Sequence, residues 1–191
     1  MTSPRETAVV GPNAAIQLRA ALLARADPDA MLAVFEAAGE SRWAAAPPDR
    51  MIPESAAAAL FEAVTAQFPP HEAAAILAEA GRRTADYITR NRIPTPVRAV
   101  LRALPPVLAA PLLASAIRRA SWTFAGSGAC TTAPRASRVA ANPIATPGCP
   151  WHEAAFERLY TGLVSRAARV RHTACIRRGA PACRFEIELR G

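Results

Sequence analysis

The sequence predicts an α+β fold, with helices over residues 13–119 and short antiparallel strands carrying most of the rest. Apolar residues recur at helical spacing through the first stretch, behind asparagine, aspartate or proline starts. Near the end, Phe185, Ile187 and Leu189 alternate with Glu186 and Glu188 at the period of a half-buried strand. With 191 residues and 51% hydrophobic content, the chain can bury one core, read here as a main domain over 53–191 behind a helical extension over 1–52.

Taken in order, Asn13 can cap a helix reaching Arg25, and Asp27 with Pro28 starts a second that buries Met31, Leu32, Val34 and Phe35 before the Gly39 stop. Residues 43–52 read as loop. Pro53 opens an alanine-rich helix to Gln67, with Leu60, Phe61 and Val64 inward, and Pro69 with Pro70 opens the next, to Arg90. Pro94 and Pro96 break the run, leaving two short helices over 97–103 and 107–119. Residues 121–125, with Trp122 and Phe124 on one face, read as a strand ended by Gly126-Ser127-Gly128, and 136–142 as another. Helical spacing returns over 151–165 behind Cys149-Pro150, and strands over 168–176 and 182–189 finish the sheet.

Charge divides the chain. Up to Gly81 there are ten acidic residues and five arginines, and from Arg82 onward 18 arginines and five acids, so the net +8 combines halves of opposite sign. All 23 basic residues are arginine, which excludes lysine Schiff-base chemistry and a Walker-type phosphate loop. No acidic residue lies between Asp86 and Glu153, a window that holds eight arginines and should prefer an anionic partner. The arginines alternate with Val97, Val100, Leu101, Leu104, Ile117 and Trp122. Apolar lining with cations at the rim suits an amphipathic acid better than nucleic acid. Arg98, Arg102, Arg118, Arg119 and Trp122 are the candidate ligand contacts. Residues 104–117 are too short and too proline-broken for a membrane span, although the apolar run ahead of Arg118 and Arg119 suits a peripheral membrane contact. Residues 1–12 lack a signal-peptide pattern, so the thiols are expected to be reduced in a cytoplasmic setting.

The most specific pattern is Cys149, His172, Cys175 and Cys183, spaced Cys-x22-His-x2-Cys-x7-Cys. It supplies the soft-ligand set of a closed tetrahedral zinc site, with His172 and Cys175 as the close pair and the turn-rich 177–181 segment folding Cys183 back beside them. A position at a helix start favours a thiolate at Cys149. Four protein ligands make such a zinc structural. The competing reading is that these cysteines are buried small hydrophobes.

These C-terminal residues resemble the vinyl-4-reductase domain family, over roughly residues 55–190. The family's aromatic-sensing transcription activators hold zinc through Cys-x22-Glu-x2-Cys-x7-Cys, and the spacing here is the same with His172 in the glutamate's place, which keeps the ligand count. The resemblance implies a helical layer packed on a small antiparallel sheet of about four strands, enclosing a small-molecule cavity, with a zinc-stapled C-terminal hairpin. Free-standing family members of this size imply a role in bacteriochlorophyll biosynthesis on a magnesium tetrapyrrole, a broad apolar macrocycle with carboxylates. The family name implies vinyl reduction, yet the sequence has neither a dinucleotide-binding glycine turn nor iron–sulfur cysteine spacing. The favoured reading is a tetrapyrrole carrier or chaperone serving pathway enzymes. Its alternatives are a divinyl (proto)chlorophyllide vinyl reductase using an external reductant, with Tyr87 or Tyr160 as proton donor, and a ligand-responsive adaptor. Related sensor domains pair, and residues 14–38 are amphipathic enough to serve a homodimer. His71 and His152 read as surface or capping residues in preference to magnesium ligands.

Overall fold

Proline sets the helix starts: it occupies the first or second position of five helices, where its fixed φ is already helical and its missing N–H costs nothing. A computed structural model describes residues 8–189, apart from the side chains of Trp122 and Ala129. In chain order it runs β1 (Val9–Val10), α1 (Asn13–Arg25), α2 (Pro28–Ala37), α3 (Arg42–Ala45), β2 (Ile52–Pro53), α4 (Glu54–Gln67) and α5 (Pro70–Asn91). Then follow α6 (Thr95–Ala103), α7 (Pro106–Ala120), α8 (Trp122–Ala125), β3 (Ala129–Ala133), β4 (Ala136–Ala140), α9 (Pro150–Leu163), β5 (Arg169–Ala174) and β6 (Ala182–Glu188). Asp27 caps α2 by accepting the Ala30 N–H at 2.7 Å, whereas Pro12 takes the cap position ahead of α1 and Asn13 becomes its first residue.

The fold is α+β, as expected. β3, β4, β6 and β5 form one antiparallel sheet in that spatial order, and β1 pairs with β2 in a two-residue ladder. Residues 122–125 are a correction: they form the one-turn helix α8 instead of a strand. The Ser121 carbonyl accepts the N–H groups of Phe124 and Ala125. The aromatic alternation that suggests a strand has another cause, since Phe124 packs edge-on to His152 and Phe156 of α9. The strand that completes the sheet is β3, Ala-Cys-Thr-Thr-Ala, whose small residues carry no alternating signal. Within the segment read as loop, Arg42–Ala45 forms the short α3, burying Trp43.

Two apolar clusters make the core. One joins Val10 and the inner faces of α1, α2, α4 and the first half of α5 to Ile144 and Trp151. The other joins Ala85, α7, the sheet and the rest of α9. Phe124 packs against both. The seam between them is crossed by α5 and α9, which meet at Gly81, where a Cβ would overlap the Trp151 carbonyl. A second tie comes from Glu54, buried at the start of α4, which accepts hydrogen bonds from the Ser127 N–H and hydroxyl, both at 2.8 Å. The helices of residues 13–45 thus share a core with those of 54–80.

Candidate metal centre and ligand cavity

Strict alternation along β5 would put His172 and Cys175 on opposite faces, being three residues apart. A register irregularity between His172 and Ala174 corrects this, because an extra residue in one strand re-aims the side chains after it. Cys175 then caps a 3-10 turn, Ile176–Arg178, with its carbonyl accepting the N–H groups of Arg178 and Ala180. Gly179 closes the knuckle at φ 84, a conformation open to glycine without penalty. On β6, Cys183 shares the buried face with Phe185 and Ile187. Cys149 arrives from the start of α9 at φ 46, a left-handed conformation that costs a non-glycine residue about 1–2 kcal/mol. It and Ala141, the two non-glycine residues of positive φ among the described residues, bracket the loop that leads into α9. Strain of this kind persists where surrounding structure enforces it, commonly at functional sites.

The ligand atoms of Cys149, His172, Cys175 and Cys183 all lie within 4.8 Å of one another. The Cys149 and Cys183 sulfurs are 3.3 Å apart, longer than a disulfide bond of about 2.0 Å. Donation from the Cys149 thiol to Cys183, followed by burial, pushes Cys149 up. That same hydrogen bond, with others from His172, the Ile176 backbone and Asn142, holds Cys183 down despite burial. Cys183 is therefore the sulfur most readily kept as thiolate, the form that binds metal. The Nε2 of His172 is buried with no hydrogen-bond partner, as suits an atom whose partner is an ion. This arrangement can hold a metal ion.

Sequence reasoning missed Asn142. Its amide points Nδ2 at the Cys183 sulfur at 3.7 Å and at Cys149 at 4.0 Å, while its Oδ1 accepts the Ile144 N–H. Such outer partners orient ligands and moderate thiolate charge. The fourth cysteine, Cys130, sits apart on β3, where burial pushes its thiol up.

A cavity of about 430 Å³ opens at the seam between the two apolar clusters, within the size range of small-molecule sites. Its walls come from the start of α1, from α5, α7, α8 and α9, and from Val10 and Ile144, with none from the four-stranded sheet. Two arginines line it, Arg92 and Arg119, beside Phe124, Trp151 and His152. His152 is a correction: it is fully buried, whereas His71 stays exposed near Glu72.

The other candidate contacts lie elsewhere. Arg98 bonds Thr95 on its own helix at 2.7 Å, and Arg118 is exposed in the last turn of α7. Arg102 donates to the Gly162 carbonyl at 3.0 Å, at the end of α9 opposite the cysteines. The Trp122 side chain is outside the described residues. Arg92, which lines the cavity with Arg119, belongs to the acid-free window but carries no spacing that would single it out. Neither Tyr87 nor Tyr160 is among the lining residues. Tyr160 is buried, and burial pushes its pKa well above the usual tyrosine value. No helix among the described residues is long and apolar enough to cross a membrane.

A four-stranded sheet under helices, with a three-cysteine, one-histidine cluster at its terminal hairpin, defines a class: residues 135–189 match the vinyl-4-reductase domain. Over nearly their whole length, two curated relatives align with this chain. Both are named "Bacteriochlorophyll synthase 23 kDa chain": one from Cereibacter sphaeroides is 43% identical over 95% of this chain and 91% of its own length, and one from Rhodobacter capsulatus is 36% identical over 95% of this chain and 88% of its own. The chain belongs to the family of these 23 kDa chains, a branch of the proteins that carry the vinyl-4-reductase domain. A solved H-NOX protein from S. oneidensis shares the fold, with a TM-score of 0.58 at 14% identity, covering 95% of this chain and 100% of that one.

Proposed function

We propose that this chain binds a magnesium tetrapyrrole of bacteriochlorophyll biosynthesis in the seam cavity and carries it between pathway enzymes. The observation that carries the reading is the cavity itself: a helix-walled apolar space in which, among the described residues, the only charged lining groups are the guanidinium groups of Arg92 and Arg119. An apolar macrocycle with a carboxylate edge matches both features, since arginine offers a bidentate fork to a carboxylate. The printed name of the two relatives supports the same pathway.

The test is an absorbance and fluorescence titration with protoporphyrin, its magnesium complex and a divinyl chlorophyllide, each repeated with NADPH. A stoichiometric shift with the vinyl group retained is the expected result. Hydrogen bonds to charged groups contribute about 1.5–3 kcal/mol, so Arg92→Leu and Arg119→Leu should each weaken binding by about tenfold or more. A pigment set that shifts nothing would remove the tetrapyrrole reading, and nicotinamide-dependent loss of the vinyl group would replace carriage with reduction.

The metal at the Cys/His cluster is read as structural zinc. Thiolates about 2.3 Å from one ion in a tetrahedron sit roughly 3.8 Å apart, inside the spread observed at the cluster. Four protein ligands leave no open coordination position for substrate. Zinc would pin the β5–β6 knuckle to the start of α9, whose next residues wall the cavity.

Peripheral contact with an anionic membrane draws support from α6 and α7. Val97, Val100, Val107, Leu108 and Leu112 are five of the eight exposed large hydrophobics among the described residues, and they lie in the window that lacks any acid. Aliphatic side chains mixed with arginines suit a lipid interface. Co-sedimentation with phosphatidylglycerol vesicles, lost in Val107→Glu with Leu108→Glu and absent with neutral vesicles, is the expected outcome. Pairing of two copies through α1 and α2 would draw on Leu23 and Leu32, which those helices leave exposed.

A further inference from the structure

His152 stands in the first turn of α9, completely buried and in the cavity wall. Neither ring nitrogen has a hydrogen-bond partner. Aromatic rings surround it instead: Trp151 at 4.8 Å, Phe185 at 5.9 Å, and Phe124 and Phe156 each at 6.3 Å between centroids. Buried imidazoles ordinarily have their tautomer fixed by a hydrogen bond, and a buried donor or acceptor left unpaired is costly. The metal cluster does not absorb this histidine, because the group that gathers around one point consists of Cys149, His172, Cys175 and Cys183. Burial is also the main reason its pKa is lowered to about 4, with His172 lowering it further and Cys183 and the Phe124 backbone acting in the opposite sense. At neutral pH the ring is therefore uncharged, with one nitrogen protonated and the other offering a lone pair into an otherwise apolar space.

Resting on the tetrapyrrole reading of the cavity, we propose that His152 supplies the axial nitrogen to the central magnesium of the bound macrocycle. The macrocycle gives magnesium four nitrogens in one plane and leaves its axial position open. A neutral imidazole fills that position by a dative bond, keeping its proton on the other nitrogen, with no change of oxidation state. A metal-free macrocycle offers nothing for the lone pair. His152 thus makes the cavity selective for pigment after metal insertion, while Arg92 and Arg119 would serve metallated and metal-free pigments alike.

The experiment compares protoporphyrin with its magnesium complex on the full chain, on His152→Leu, and on His152→Ala with and without added imidazole, reading affinity and the Soret band with its magnetic circular dichroism. Zinc content and far-UV circular dichroism confirm that each variant is folded. Wild-type protein should bind the magnesium complex at least tenfold more tightly than the free base, with a five-coordinate spectrum. His152→Leu should lose that preference while holding free base within about twofold of wild type, and imidazole should restore the axial signature in His152→Ala. If the wild type binds both pigments equally, or His152→Leu keeps both preference and spectrum, the axial assignment is overturned while the tetrapyrrole site stands. If the wild type binds neither pigment, the tetrapyrrole site itself falls.

Discussion

Cys183→Ser protein is expected to purify without its metal ion and to melt about 8–16 °C below the wild type. The sulfur of Cys183 is the one most strongly held as thiolate, and it sits 3.3 Å from the Cys149 sulfur and 3.7 Å from the Asn142 amide, so its loss removes a ligand and strands two partners. An ion present a thousandfold above its dissociation constant stabilises the folded state by about 4 kcal/mol, and 1 kcal/mol moves the melting point of a chain this size by about 2–4 °C. Metal analysis and calorimetry check both parts. Cys130→Ser, which alters a buried thiol outside the cluster, should keep the metal. Unchanged metal content and melting point in Cys183→Ser would leave the four side chains as packing alone.

The second large effect is expected from Gly81→Ala. Alanine is favoured over glycine inside a helix by about 0.8–1.0 kcal/mol, so a substitution judged by propensity alone should stabilise α5. Here the added methyl would run into the backbone carbonyl of Trp151, which cannot rotate away as a side chain would. The helices must part, and overpacking of this kind costs typically about 1–3 kcal/mol, occasionally more. Because Thr84 and Ile88 on α5 and Trp151 and His152 on α9 all line the cavity, pigment affinity should fall together with stability. Gly162, which has nothing within 4 Å of where its Cβ would be, is the matched control: Gly162→Ala should stabilise by roughly 0.5–1 kcal/mol. Urea titration of the pair separates propensity from collision, and a neutral or stabilising Gly81→Ala would mean that α5 and α9 slide freely.

The helical part of the fold was legible because prolines and apolar spacing mark most starts and faces locally. The starts at Pro28, Pro70 and Pro106, and the end at Gln67, lie where local chemistry puts them. β5 and β6 were legible from alternation. β3 was not, since alanine and threonine serve on either face of an edge strand, and the aromatic pair ahead of it imitates a strand while packing as a helical turn. At the site, the spacing of the cysteines and His172 groups the same four side chains that the fold gathers. Asn142 and Arg92 carry no such signal, for their roles come from where distant segments meet. His152 reads as ordinary in sequence because the absence of hydrogen-bond partners is a tertiary property.

The first two turns of α9 carry Cys149 at one end and then Trp151, His152, Ala155 and Phe156 along the cavity wall. A helix is too stiff over so short a length for its cap to shift while its wall stays put. Occupancy of the two sites is then a linked equilibrium, and linkage is reciprocal: whatever factor zinc lends to pigment affinity, bound pigment returns to zinc. Starved of zinc, such a carrier would release its cargo before it unfolds; loaded, it would surrender the ion more slowly to a chelator.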